Sequence, residues 1–171
     1  SGSELNAIGI YEVITDSSNK KDEKWYINTN ESYSFADNQV TRSWGTATPK
    51  AHADSLWTQA DSDDGDLPDD KEVGDVKVEG LKTQLIRTLK SQVAGILSNT
   101  DWYITRNAEK EIAIPSAIST HRDAVRTKQA EMETAITNAS NTPALETLYT
   151  YTTDSDGVQS RPLGELPTLE I

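Results

Sequence analysis

Ile118, Val125, Met132 and Ala139 recur at every seventh position along a stretch otherwise dominated by polar residues and alanine. On a helix these four form one narrow stripe, with Ile136 alongside. Seven-residue spacing over so few turns suits an antiparallel hairpin or a short coiled coil. Pro115 stands where such a helix would begin, and proline fits the first helical position because the N–H it lacks would have no partner there.

A companion stripe lies upstream. Leu81, Leu85, Ile86, Leu89, Val93, Ile96 and Leu97 fall at helical spacing over residues 79–98, and Asn99-Thr100-Asp101 closes the run with turn chemistry. Downstream, Thr142-Pro143 reads as the cap and first turn of a short helix carrying Leu145, Leu148 and Tyr149.

Little else is available to build a core. Leu, Ile, Val and Phe together make 33 of the 171 residues, and the formal net charge is −12. That combination lies at the border where burial struggles to offset the entropy of ordering the chain. A small core, long solvated segments and some order supplied by partners are expected. The acidic balance argues against nucleic acid, whose phosphates need clustered Lys and Arg, and against an anionic membrane surface. No cysteine is present, so disulfides and thiolate metal sites are excluded. No apolar run is long enough to span a bilayer, and Ser-Gly-Ser-Glu lacks the basic start and apolar core of a secretory signal.

Residues 1–50 read as a small β-rich domain. Ile8, Ile10, Val13 and Ile14, interrupted by Gly9, suggest one kinked strand. Trp25–Ile27, Tyr33–Phe35 and Val40–Trp44 supply β-branched and aromatic residues for more, and Ala36-Asp-Asn-Gln39 looks like a hairpin connection. So few strands need something to pair with. Trp25, Tyr26, Trp44 and Trp57 are either core or anchors for a partner. Residues 51–78 change character: nine acids stand between Asp54 and Asp75 against one Lys, which predicts an extended linker. Residues 79–150 form the helical module, and 151–171 an extended or disordered polar tail with a turn at Asp154-Ser-Asp-Gly157. The fold class is therefore α+β: small N-terminal β segment, acidic linker, helical hairpin, extended tail.

The stretch joining the helices carries a recognisable pattern: Leu97-Ser-Asn-Thr-Asp-Trp-Tyr-Ile-Thr-Arg106, then Ile114-Pro-Ser, then His121-Arg-Asp-Ala-Val-Arg126. It resembles a helical module of tail-associated proteins of tailed bacteriophages, some of which are tail fibre assembly or tail assembly chaperone-like proteins. Ala7-Ile-Gly-Ile-Tyr11 and Val40-Thr-Arg-Ser-Trp44 are similar to the β segment that often precedes that module. His121 stands where the pattern has Tyr, and the acidic segment is longer than the pattern's. The resemblance implies a structural or accessory component of a phage tail, in the fibre or baseplate region, made in the host cytoplasm and located in the virion. Its implied partners are other tail proteins, in a homo- or hetero-oligomer within a symmetric assembly. The alternatives are a fibre-assembly chaperone not retained in the virion and a module binding host-surface carbohydrate.

The residues themselves suggest how the corner works. Asp101 can accept hydrogen bonds from Arg122 or Arg126, which lie at i and i+4 on one helix face. Trp102 would bury its ring over the junction, with Arg106 nearby. Asp101, Trp102, Arg106, Arg122 and Arg126 thus form a fold-holding or partner-binding motif.

Catalytic, cofactor and metal sites are not expected. His52-Ala-Asp54 sits beside the acidic segment and is not expected to be catalytic, and His121 and Asp123 point apart on a helix, so that group cannot form a triad. No two acids are placed on opposed walls of a cleft, as glycoside cleavage requires. The acidic turns fail as calcium loops: with Gly65 or Gly157 at the sixth position, position one is Ala60 or Thr152 and position twelve Lys71 or Leu163.

Overall fold

A computed structural model describes the backbone of residues 2–169 and the side chains of residues 4–169. Ser1, Glu170 and Ile171, at the ends of the expected β-rich domain and tail, lie outside the described residues. The chain contains both helices and small sheets, an α+β protein, and divides into two compact units between Lys50 and Ala51.

In the N-terminal unit, helix α1 (Gly2–Ala7) precedes strand β1 (Val13–Thr15). The single kinked strand expected from Ile8 onward is therefore corrected. Ile8, Gly9 and Ile10 close the helix end, their N–H groups donating to the carbonyls of Leu5 and Asn6, with Gly9 at φ 81°. Strand β2 (Tyr26–Ile27) follows the polar turn at Asp16–Asp22, and β3 (Ser32–Ala36) and β4 (Gln39–Ser43) form a hairpin. Asp37 and Asn38, at φ 52° and 58°, make the two-residue connection whose positive angles match the twist of paired strands. β1 lies parallel to β4, giving the order β1-β4-β3, and β5 (Thr48–Pro49) pairs with β2.

Trp25, Tyr26, Trp44 and Ala47 are the buried apolar residues of this unit. Cations lie across the three rings: Lys24 over Trp25, Lys21 over Tyr26, and both Lys20 and Arg42 over Trp44. The aromatics are thus core, and lysine and arginine side chains form part of its cover.

The second unit opens with β6 (Ser55–Leu56), α2 (Gln59–Asp63) and β7 (Val76–Val78), β7 running antiparallel to β6. The extended linker expected here is a closed excursion. Trp57 N–H donates to the Asp75 carbonyl and Gly74 N–H returns to that of Trp57, at 2.9 and 2.8 Å. Thr58 and Asp61 form a reciprocal capping box on α2, and Lys77 binds Asp61 while lying over the Trp57 ring. Charge repulsion is relieved because Asp61 is paired and the side chains of Asp64, Asp66, Asp69 and Asp70 belong to exposed residues that remain hydrated.

Helices α3 (Leu81–Ser98) and α5 (Ser116–Asn138) pack together, with α4 (Asp101–Lys110) between them in sequence. Lys82 near the start of α3 reaches the Thr137 carbonyl near the end of α5, and Arg122 near the start of α5 reaches Leu97 near the end of α3. The pair is therefore antiparallel. Leu81, Leu89 and Val93 are buried on α3, and Ile118, Val125, Met132 and Ile136 on α5, so the seven-residue stripe is the core seam. Pro115 caps α5 from just outside rather than occupying its first turn. Helix α6 (Thr142–Tyr149) is capped by Asn141, whose Oδ1 accepts from Ala144 N–H, and not by Thr142.

The tail does not run free. Strands β8 (Thr152–Thr153) and β9 (Gln159–Ser160) form a hairpin around Gly157 at φ 79°. Leu163 is then buried, its N–H bonded to the Leu148 carbonyl. Leu166, Pro167 and Leu169 beyond it are half-buried.

Candidate interaction site

The corner between α3 and α5 is organised by one side chain. Arg122 is buried on the first turns of α5, and its Nη1 lies 2.8 Å from the Leu97 carbonyl, 2.7 Å from Thr100 Oγ1 and 2.9 Å from Asp101 Oδ1. The Leu97 carbonyl belongs to the last turn of α3, where carbonyls have no intrahelical partner and the helix dipole favours a cation. Thr100 Oγ1 also donates to that carbonyl, at 3.0 Å. Asp101 opens α4, where the dipole favours an anion. Arg122 therefore ties the end of one helix and the start of another to a third.

The other motif residues are distributed differently from the sequence expectation. Arg126 does not reach Asp101; it pairs with Asp123 at 3.2 Å on its own helix, on the exposed side. Trp102 is 51% exposed, which corrects the buried ring expected at the junction. The reason is α4 itself. The joining stretch was expected as a turn and connection, yet it re-enters a helix of ten residues, and the junction is filled by Arg122 instead. Trp102 leans on Tyr103, ring centroids 3.8 Å apart, and Arg106 lies over both rings at 4.6 and 5.3 Å. Arg106 Nε is buried without a hydrogen-bond partner. Helix α4 buries no residue, and Trp102, Ile104 and the following Ile112 are exposed. Such an aromatic and guanidinium surface has the composition of a protein-binding anchor.

The surroundings of the two histidines differ. Asp54, beside His52, accepts from Gly80 N–H at 2.6 Å and Thr83 Oγ1 at 2.8 Å, and so caps the start of α3 from 26 residues away. His121 is 8% exposed, at a cleft also lined by Ile96, Thr100 and Leu166. Sequence reasoning missed a further cluster. Arg161 contacts both carboxylate oxygens of Glu165, at 2.7 and 2.8 Å, and lies over Tyr149 and Tyr151. The Tyr151 hydroxyl donates to Glu165, which raises its pKa above the usual phenol value. The i, i+4 spacing of Arg161 and Glu165 was its only signal.

Among the described residues no group of three or more His, Cys, Asp or Glu is arranged to hold a metal, and no helix is long and apolar enough to cross a membrane. Comparison with protein-family models, curated proteins and solved structures returns no match.

Proposed function

We propose that this chain is a non-enzymatic structural or accessory component of a phage tail, in the fibre or baseplate region, acting through contacts with other tail proteins. The observation that carries the reading is the corner. The residues that give the resemblance, Thr100-Asp-Trp102 and Arg122, are those that join three helices and leave an aromatic helix face outward. A second support comes from the N-terminal unit, where Ile8, Ile10, Val13, Tyr33 and Phe35 are all more than half exposed. A permanent component of an assembly can bury such surface against neighbours, at about 2,000 Å² or more per interface. A chaperone must release its client and persist free in solution.

The test is stoichiometry. Washed particles of the phage that encodes this chain should contain it at a fixed ratio, a multiple of the tail symmetry. Its absence from washed particles, with abundance in the lysate, would overturn the reading in favour of a fibre-assembly chaperone.

A further inference from the structure

Strand β3 is an edge strand in the order β1-β4-β3, and its five residues, Ser-Tyr-Ser-Phe-Ala, are all exposed. Natural edges are usually blunted by lysine, proline, a bulge or a covering segment. β3 contains neither charge nor proline, and its register with β4 is unbroken from Ser32 to Ala36.

The two-residue turn sets which backbone groups the edge offers. Ala36 and Gln39 flank the turn and close the hairpin as a bonded pair, so Ser34 and Ser32 also bond to β4. The N–H and C=O groups of Tyr33 and Phe35 therefore face the open side. We propose that this edge pairs with the β3 of a second copy of the chain, antiparallel and centred on Ser34, in a two-fold dimer.

The register is self-complementary. With Ser34 opposite Ser34, Tyr33 of each copy stands opposite Phe35 of the other, and these are the residues whose backbone groups are directed outward. Two aromatic cross-strand pairs then fall on one face, an arrangement that favours strand pairing. Both rings are already positioned: Tyr33 donates its hydroxyl to Glu31 at 2.7 Å, and Phe35 packs on Tyr11 at 4.5 Å between centroids. Charge selects the same surface. Residues 1–50 carry seven acids and five cations, net −2, whereas residues 51–171 carry 21 acids and 11 cations, net −10. Copies of this chain meet with least repulsion through the N-terminal unit.

The pairing is independent of the tail reading, because a chain missing from particles would still dimerise this way. Its test exploits the absence of cysteine. Centring on Ser34 makes that position a non-hydrogen-bonded pair with Cα atoms about 4.5 Å apart, within disulfide reach. In the full chain, Ser34→Cys treated with diamide should cross-link roughly tenfold faster or more than Ser91→Cys on the exposed side of α3, through high effective thiol concentration. The native chain should sediment at micromolar concentration as a dimer of twice 18.8 kDa. A monomer, or an oligomer in which position 34 shows no preference over 91, would overturn the pairing. So would a β3 edge that becomes protected from amide exchange only on addition of a different protein.

Discussion

Arg122 donates to the main-chain carbonyl of Leu97, 25 positions earlier, and in doing so closes the last turn of α3 with a side chain from α5. Breaking this contact leaves a helix-end carbonyl and the Thr100 hydroxyl without their cationic donor. Arg122→Met should therefore destabilise by about 1–3 kcal/mol in urea unfolding. Asp101→Asn should cost much less, about 1 kcal/mol at most, because the Asp101 side chain is 59% exposed and its ion pair is screened. Equal losses for the two variants would mean that the ion pair, and not the helix cap, holds the corner.

Trp102 is the opposite case. Half of its surface is already in water, so Trp102→Ala should change stability by roughly 1 kcal/mol or less, well short of the 3–5 kcal/mol of a buried aromatic truncation. If the ring is a partner anchor, incorporation into particles should fall while the melting temperature holds. A large loss of stability would show that the ring is structural after all.

The elements legible in the sequence were those set by local chemistry. Ile118, Val125 and Met132 announce their shared face through spacing alone, and Asp37-Asn38 announces its turn through residues that tolerate positive φ. What was not legible depends on partners far along the chain. Asp54 caps a helix beginning at Leu81, and Leu163 docks a segment that composition alone marks as free. Helix α4 was missed for a different reason: Thr and Asp serve both at turns and at helix starts, and Thr100-Asp101 does both. Spacing left Arg122 and Arg126 equally open as partners of Asp101 and could not tell that Arg126, one turn on, would turn to Asp123.

The start of α3 offers a steric test. A Cβ on Gly80 would lie 2.3 Å from the Ala53 carbonyl carbon, a backbone atom that cannot move aside alone. Gly80→Ala should cost about 1–3 kcal/mol through this overpacking. Asp54→Ala removes the side-chain cap and should cost about 0.5–2 kcal/mol. Both are read from thermal or urea unfolding; a neutral Gly80→Ala would mean that the β6–β7 excursion is not seated on the helix start.

The acidic excursion should respond to pH in a defined direction. Lys77, and then Thr58 through its side chain and backbone, hold the Asp61 carboxyl at about 2, below the ordinary 3.8. A lowered acid favours the folded form when ionised, so its contribution is complete above the ordinary value and is lost as pH falls from about 4 toward 2. Protection of the Trp57 and Gly74 amides, taken relative to the intrinsic exchange rate at each pH, should fall over that window, and Lys77→Met should produce the loss already at neutral pH. Amides of residues 57–75 that exchange as fast as an unfolded peptide at neutral pH would restore the extended linker.

The tail gives the sharpest contrast between composition and structure. Residues 151–160 are all exposed, yet Leu163 is 3% exposed and its N–H bonds to the end of α6. Arg161, paired with Glu165 and lying over Tyr149, stands beside that anchor. Leu163→Ala should cost about 2–5 kcal/mol if the docked tail unfolds together with the helices. If the tail instead undocks alone, the loss is confined to that segment, and glutamyl-protease cleavage after Glu165 should rise sharply while α3 and α5 keep their exchange protection. Either result places Leu163 in the fold. Rapid cleavage after Glu165 in the native chain, unchanged by Leu163→Ala, would instead mean that the tail is free in solution.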